Sequence, residues 1–468
     1  MSRTAVVTGI GVTAPNGLGT EAYWAATLAG RSGIDRISRF DPSGYPVRLA
    51  GEVRDFDAAA HVPSRLVPQT DNWTHLGLTA AAWALDDAGA DPAAFPEYEM
   101  AVVTASSSGG TEFGQREIER LWTKGPSWVG AYQSIAWFYA ATTGQISIRH
   151  GMRGPCGVVC TEQAGALDAA GQARALVQQG TRLVVTGGTD ASLCPYGLTA
   201  QLSKGTLSGG DDRRRAYLPF DADAGGHVPG EGGAMLIVED AADARARRAP
   251  RRYGVIAGQA ATFDPRPGSG REPTLRRAIE LALADAGVAP GDVDVVFADA
   301  AGVPDADRAE AAALAAVFGP GGVPVTAPKT MTGRLYAGGA ALDLACALLA
   351  LRDQVIPRPS GWSGWRRGAI WTWCGRCPGR RGCVPRWSSR AGTAASTRPR
   401  SSPRRTDRSG RPGGRLSSEE RQHHGRTHGQ RDRHRRADGR GVGHDQRRGV
   451  VAAAVQRVRR RGDPRPGR

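Results

Sequence analysis

The stretch Gly154–Asp168 reads GPCGVVCTEQAGALD, and its order of residue types sets the architecture of the chain. An apolar run, Gly157–Cys160, enters Thr161-Glu162-Gln163 and leaves through Ala164, Gly165, Ala166 and Leu167 in helix-forming residues. That order predicts a strand, a tight turn and a helix start. A turn of this kind holds one side chain at a helix N-terminus, where backbone N–H groups and the helix dipole favour negative charge. The geometry is that of a nucleophile elbow, but Gln163 stands at the turn, and an amide cannot attack a carbonyl as a thiolate does.

Working outward, the same alternation recurs on both sides. Thr4–Ala14 (TAVVTGIGVTA) reads as a buried strand ending at the turn Pro15-Asn16-Gly17, and Glu21–Leu28 as a short helix. His75–Ala88 carries apolar residues at helical spacing, and Ala101–Ala105 (AVVTA) is a second strand before the glycine turn Ser106–Gly110. The helix Thr111–Trp122, an aromatic segment Tyr132–Ala140, the elbow helix to Gln179 and the strand Arg182–Val185 follow. A second series has strands at Met235–Glu239, Tyr253–Ala260, Val293–Ala298 and Val323–Thr326, and helices at Thr274–Gly287 and Glu310–Phe318. It closes on Gly338–Leu351, so uniformly apolar that it must be buried. The alternation predicts an α/β class, and the loose repeat of element order predicts two similar α/β halves packed on each other.

Charge separates this body from the end of the chain. Met1–Pro357 has 31 Lys+Arg and 38 Asp+Glu, a net of 31 − 38 = −7, whereas Arg358–Arg468 has 30 and 7, a net of +23; together they make the +16 of the whole. The tail holds arginine without lysine, five tryptophans in Trp362–Trp387 and no sustained period of 2 or 3.6. Three readings compete for it: a disordered arginine-rich arm for nucleic acid or membrane, a zinc knuckle on Cys374, Cys377 and Cys383 that lacks a fourth ligand, and a shifted reading frame in GC-rich coding DNA. The last is favoured, because out-of-frame GC-rich codons fill with Arg, Gly, Pro, Ala and Trp. Domain boundaries are therefore expected at 1–245, 246–357 and 358–468. With no run of 18 or more apolar residues, no membrane span is predicted. Seven cysteines without a signal peptide suggest a reducing cytoplasm.

With these motifs assembled, Met1–Pro357 resembles the type II polyketide synthase chain length factors. These are the ketosynthase-beta subunits of the β-ketoacyl synthase, thiolase-like superfamily. The resemblance is carried by TGIGVTAPNG (8–17), AYQSIAWFYAATTGQISIRHGMRGP (131–155), LPFDADAGGHVPGEGGA (218–234), FADAAGVPDAD (297–307) and APKTMTGRLYAGG (327–339). It implies a layered αβαβα core and a catalytic set that has been dismantled. Where condensing members present a cysteine at the elbow, this chain has Gln163; Ala301 matches the first catalytic histidine. Lys329 of the Lys-Thr-x-x-Gly motif is kept, and Arg334 replaces the second histidine. Claisen condensation uses a thiolate and two imidazoles that act together, so no residual condensation is expected. Arg334 is expected to fill the vacated pocket and pair with a buried acid, with a solvated surface charge as the alternative; Glu162 reads as a first-turn carboxylate.

The resemblance further implies a heterodimer with a ketosynthase-alpha subunit, docking of an acyl carrier protein, and a polyketide tunnel between the subunits. It implies no cofactor and no metal, and neither nucleic acid nor membrane as a partner. Thr111, Gly114 and Ile118 match the tunnel-plugging segment and share one helix face. The missing side chain at Gly114 predicts a roomy tunnel and a product of about ten or more acetate units. The function expected is that of a non-condensing subunit that sets chain length. The alternatives are a malonyl-carrier-protein decarboxylase supplying the acetyl primer, against which Ala301 and Arg334 argue, and a non-functional frameshifted product that lacks the family's closing C-terminal strand.

Overall fold

The computed structural model describes residues 3–266 and 269–359, and the strand 447–450. The arginine-rich-arm and frame-shift readings concern the tail 358–468, of which only 358–359 and 447–450 are described, and the metal reading falls on Cys374, Cys377 and Cys383, outside the described residues. Seven strands form the main sheet: β1 (Ala5–Ala14), β2 (Gly17–Leu18), β3 (Met100–Ala105), β4 (Cys156–Val159), β5 (Leu183–Asp190), β6 (Gly232–Asp240) and β7 (Gly254–Val255). Their order is β2-β1-β6-β5-β3-β4, with β7 also paired to β1. The β5/β3 and β3/β4 pairs are parallel, and β6 is antiparallel to both β1 and β5. β4, the strand that leads into the elbow, is therefore the end of the sheet.

Period-two alternation sends neighbouring residues to opposite faces. Ala101, Val103, Val184, Leu236 and Val238 face one core, shared with the helices α4 (Gly165–Gln179) and α7 (Ala337–Asp353). Met100, Val102, Leu183, Val185, Met235 and Ile237 face the other, covered by α2 (Asn72–Ala88). Fully burying each of the larger aliphatic side chains contributes about 1.5–3 kcal/mol, so both faces hold the sheet. The remaining helices used below are α1 (Thr20–Leu28), α3 (Thr111–Lys124), α5 (Leu275–Ala286) and α6 (Pro304–Phe318).

The strand Thr4–Ala14 contains glycine for a reason visible here. A Cβ on Gly9 or Gly11 would lie 2.1 or 2.0 Å from the carbonyl oxygens of Ala84 and Ala80, so α2 lies directly on the β1 backbone. Asp71 caps the start of α2, accepting from the Trp73 N–H at 3.3 Å, and Gly89 closes the helix in the left-handed conformation.

The second half is smaller. Helices α5 and α6 pack through Leu275, Ile279, Leu283, Ala313 and Leu314, beside a parallel pair formed by Val296–Phe297 and Val325–Thr326. The single strand expected over Tyr253–Ala260 is instead two: β7 joins the first-half sheet, and Ala260–Phe263 pairs with 447–450. Gly258, between them, lies against α5, where a Cβ would meet the Ala282 carbonyl at 2.5 Å. The expected strand Val293–Ala298 shortens to Val296–Phe297. Among the described residues no helix is long and apolar enough to cross a membrane, and no group of three His, Cys, Asp or Glu could hold a metal ion.

Candidate functional site

The elbow forms as the sequence order requires. β4 ends at Val159, Glu162–Ala164 make one 3-10 turn, and α4 continues from Gly165. The strained residue is Glu162, held at φ 52°, which leaves Gln163 half-buried at the helix start with its Oε1 facing Gly339 in the first turn of α7. Glu162 forms an ion pair with Lys204, whose ammonium lies 5.5 Å from the centre of the Tyr336 ring. The exposed first-turn carboxylate is thus tied to a lysine.

Around the elbow the loops that end the second-half strands converge. Ala300, at φ 50°, and Tyr336, also at φ 50°, are non-glycine residues in the left-handed region. Such residues cost about 1–3 kcal/mol each and persist where the surroundings over-determine the backbone. Two carboxylates do this for the Ala301 loop. Glu310 accepts from the N–H groups of Asp299 at 2.7 Å and Ala300 at 2.9 Å; Asp307 accepts from Gly302 at 3.0 Å and Phe220 at 2.8 Å. Burial, reinforced by the nearby Asp299, pushes the Glu310 carboxyl up to about 7. The Tyr217 hydroxyl donates to the Ala300 carbonyl at 2.7 Å.

Arg334 is 7% exposed and reaches back across this loop. Its guanidinium donates to the Asp299 carbonyl at 2.7 Å and to both oxygens of the Asp299 carboxylate at 2.9 and 3.2 Å. Burial works against its charge, but Asp299 and Tyr217 outweigh it and hold the guanidinium protonated. The reading as a solvated surface charge is excluded. The partner acid, however, is not buried, since the Asp299 side chain is 55% exposed. Lys329 is buried and pairs at 2.7 Å with Asp343 of α7, anchoring the Lys329-Thr330-Met331-Thr332-Gly333 turn to the core.

Three residues of the site were not singled out in the sequence. Asp190, fully buried at the end of β5, accepts from Ser106, Ser107, Ser108 and the Ala337 N–H, so it clamps the loop after β3 to the start of α7. Burial raises its carboxyl to about 6. His227 sits beside Arg334 and hydrogen-bonds to the backbone of Ala301, while its Nδ1 has no partner. Burial, then the neighbouring Arg334, drives its pKa down to about 3, so the imidazole is neutral. Lys204 completes the set. His227 and Asp190 lie inside motifs whose glycines draw the eye, and only tertiary placement gives them a role.

Chemically, the assembled site offers an amide at the elbow, a methyl group at Ala301 and an ion-paired guanidinium at Arg334. No thiolate stands at the elbow, and the one imidazole nearby is pinned to backbone. Of the helix residues predicted to face a tunnel, Thr111 is half-buried, Gly114 is buried and Ile118 is 45% exposed. Among the described residues outside its own helix, the only atom within 4 Å of a Cβ built on Gly114 is Gln133 Nε2, at 3.7 Å. Ile118 is exposed, as are the side chains of Trp122, Trp128, Ile135, Trp137 and Phe138.

The chain matches the model of the β-ketoacyl synthase N-terminal domain over residues 2–244 and of the C-terminal domain over 253–361. It is 65% identical over 357 residues to the tetracenomycin polyketide synthase ketoacyl synthase beta subunit of Streptomyces glaucescens, covering 76% of this chain and 87% of that one. It is 57% identical to the actinorhodin polyketide putative beta-ketoacyl synthase 2 of Streptomyces coelicolor, covering 76% and 88%. Among solved structures, the ishigamide ketosynthase/chain length factor superposes with a TM-score of 0.69 at 27% identity, over 77% of this chain and 90% of that one. A type II polyketide synthase acyl carrier protein in complex with its ketosynthase, bound to the hexaketide, shares the fold with a TM-score of 0.71 at 23% identity, over 80% and 92%. The layered α/β fold is thus thiolase-like, as expected from the sequence, and the chain belongs to the β-ketoacyl synthase family, among the ketosynthase-beta subunits, or chain length factors, of type II polyketide synthases.

Proposed function

We propose that this chain is the non-condensing subunit of a type II polyketide synthase, pairing with a ketosynthase-alpha subunit and setting the length of the polyketide. The observation that carries the reading is the coexistence of a fully braced site with no reactive group in it: Gln163 at the elbow, Ala301 on a clamped loop, and Arg334 locked to Asp299. A scaffold held this firmly without a nucleophile serves shape, not covalent chemistry. Two surfaces suit a partner subunit. Among the described residues the sheet ends on β4, which leaves its outer edge to a partner, and Ile118, Trp122, Trp128, Ile135, Trp137 and Phe138 offer exposed apolar and aromatic side chains. A tunnel between subunits accounts for both the exposure of Ile118 and the space at Gly114. The acyl carrier protein is the second partner, delivering malonyl units to the pair.

The test is to assay the purified chain with malonyl-loaded acyl carrier protein, alone and with a ketosynthase-alpha subunit. The reading expects neither condensation nor decarboxylation alone and polyketide only from the pair. Decarboxylation by the subunit alone, abolished in Gln163→Ala, would transfer the assignment to primer supply.

A further inference from the structure

Helix α3 carries Thr111, Gly114 and Ile118, yet little apolar packing holds it: only Phe113, Gly114 and Glu117 are buried. Side-chain acceptors fasten it instead. Asp71 Oδ2 accepts from the Phe113 N–H at 2.7 Å, Gln115 Oε1 accepts from the Tyr196 N–H at 2.7 Å, and Glu117 accepts from the Gly130 N–H. Beside the first turn lies a cavity of about 350 Å³ lined by Arg39, Thr70, Asn72, His75, Glu112 and Arg116. Its guanidiniums are already paired, Arg39 with Glu231 at 2.7 Å and Arg116 with Glu112 at 3.2 Å, so the space calls for no further ion. What it does is leave the first turn of α3 without packing on that side.

Asp71 is the group that spans to the helix there. It is 1% exposed, its Oδ1 caps α2 through Trp73, and its Oδ2 holds α3. One buried carboxylate thus fixes the position of α3 relative to a helix packed on the central sheet. We propose that Asp71 is a positioning residue for chain length, setting where Thr111 and Gly114 stand; this rests on the chain-length reading above. Its effect passes through the backbone of α3 and needs no contact with the polyketide.

Asp71→Ser separates its two roles, because a serine hydroxyl can cap α2 but is too short to reach Phe113 as well. Losing one buried hydrogen bond, from a carboxyl that burial raises to about 7, predicts about tenfold faster hydrogen exchange at the Phe113 amide. In a synthase assembled with the ketosynthase-alpha subunit and acyl carrier protein of the tetracenomycin system, the variant is expected to give a spread of chain lengths where the unaltered chain gives one main product. Gln115→Ala, on a half-exposed side chain, removes a second tie of the same helix and is expected to broaden the products in the same way, and it decides the matter if Asp71→Ser does not fold. Faster exchange with an unchanged product distribution, or unchanged exchange, would overturn the positioning role. Failure of the chain-length reading itself shows separately, as an unchanged product from Gly114→Phe.

Discussion

Replacing Arg334 by methionine removes a buried charge while keeping apolar bulk. The structure sets the cost. Three donor contacts to Asp299 at 2.7, 2.9 and 3.2 Å are lost from a side chain 7% exposed. Breaking a fully buried pair costs about 3–5 kcal/mol because the remaining charge is stranded. Here the Asp299 side chain is 55% exposed and rehydrates, so the loss falls to about 2–3 kcal/mol, mostly from the Asp299 carbonyl and the loop it braces. A surface pair would cost under about 1 kcal/mol, which makes the two cases separable. Urea unfolding followed by tryptophan fluorescence measures the difference. Polyketide output with the ketosynthase-alpha partner, assayed well below the unfolding midpoint, is expected to persist, since Arg334 braces and does not react. A stability loss below about 1 kcal/mol, or loss of product from a folded variant, refutes this assignment.

Two further changes probe the same framework. Lys329→Met strands Asp343, which burial already pushes toward protonation; it is expected to cost about 3–5 kcal/mol in urea unfolding, with Lys329→Met/Asp343→Leu recovering most of it. His227 is neutral in the folded chain, its pKa lowered by burial from 6.5 to about 3. As pH falls through about 6.5 the unfolded chain takes up a proton that the folded chain refuses, so this residue removes stability on the acid side. His227→Phe is therefore expected to gain on the unaltered protein as pH is lowered from about 7 to about 5, and a stability difference independent of pH counts against a neutral buried imidazole.

The long elements were legible in the sequence because their periods are strong. β1, the elbow, α4 and the apolar α7 lie where the pattern put them, within one or two residues. The second half was less so. Strands of two residues, such as Val296–Phe297, are too short for any period, and the Tyr253–Ala260 run contains Gly258, whose packing against α5 the sequence cannot display. Helical spacing grouped Thr111, Gly114 and Ile118 on one face but could not say which side of α3 meets solvent, because the buried side includes a charged residue, Glu117, satisfied by the Gly130 N–H. Gln163, Ala301 and Arg334 were visible by their departure from the family's motif. Of the bonds that brace them, those of Asp190 and that of Asp307 to Phe220 join residues distant in the chain, and those of Glu310 and of Asp307 to Gly302 lie in an irregular loop that carries no period.

Gly114→Phe tests most directly whether this subunit sets product length. Among the described residues outside its own helix, a Cβ at Gly114 meets only the flexible end of Gln133, and exchanging glycine for phenylalanine inside a helix favours the helix by about 0.5 kcal/mol. The measurement is the mass of the polyketide made by the pair of this variant with a ketosynthase-alpha subunit. The account predicts a shorter chain than the unaltered pair makes, at comparable yield; a product of unchanged length from a folded, paired variant contradicts it.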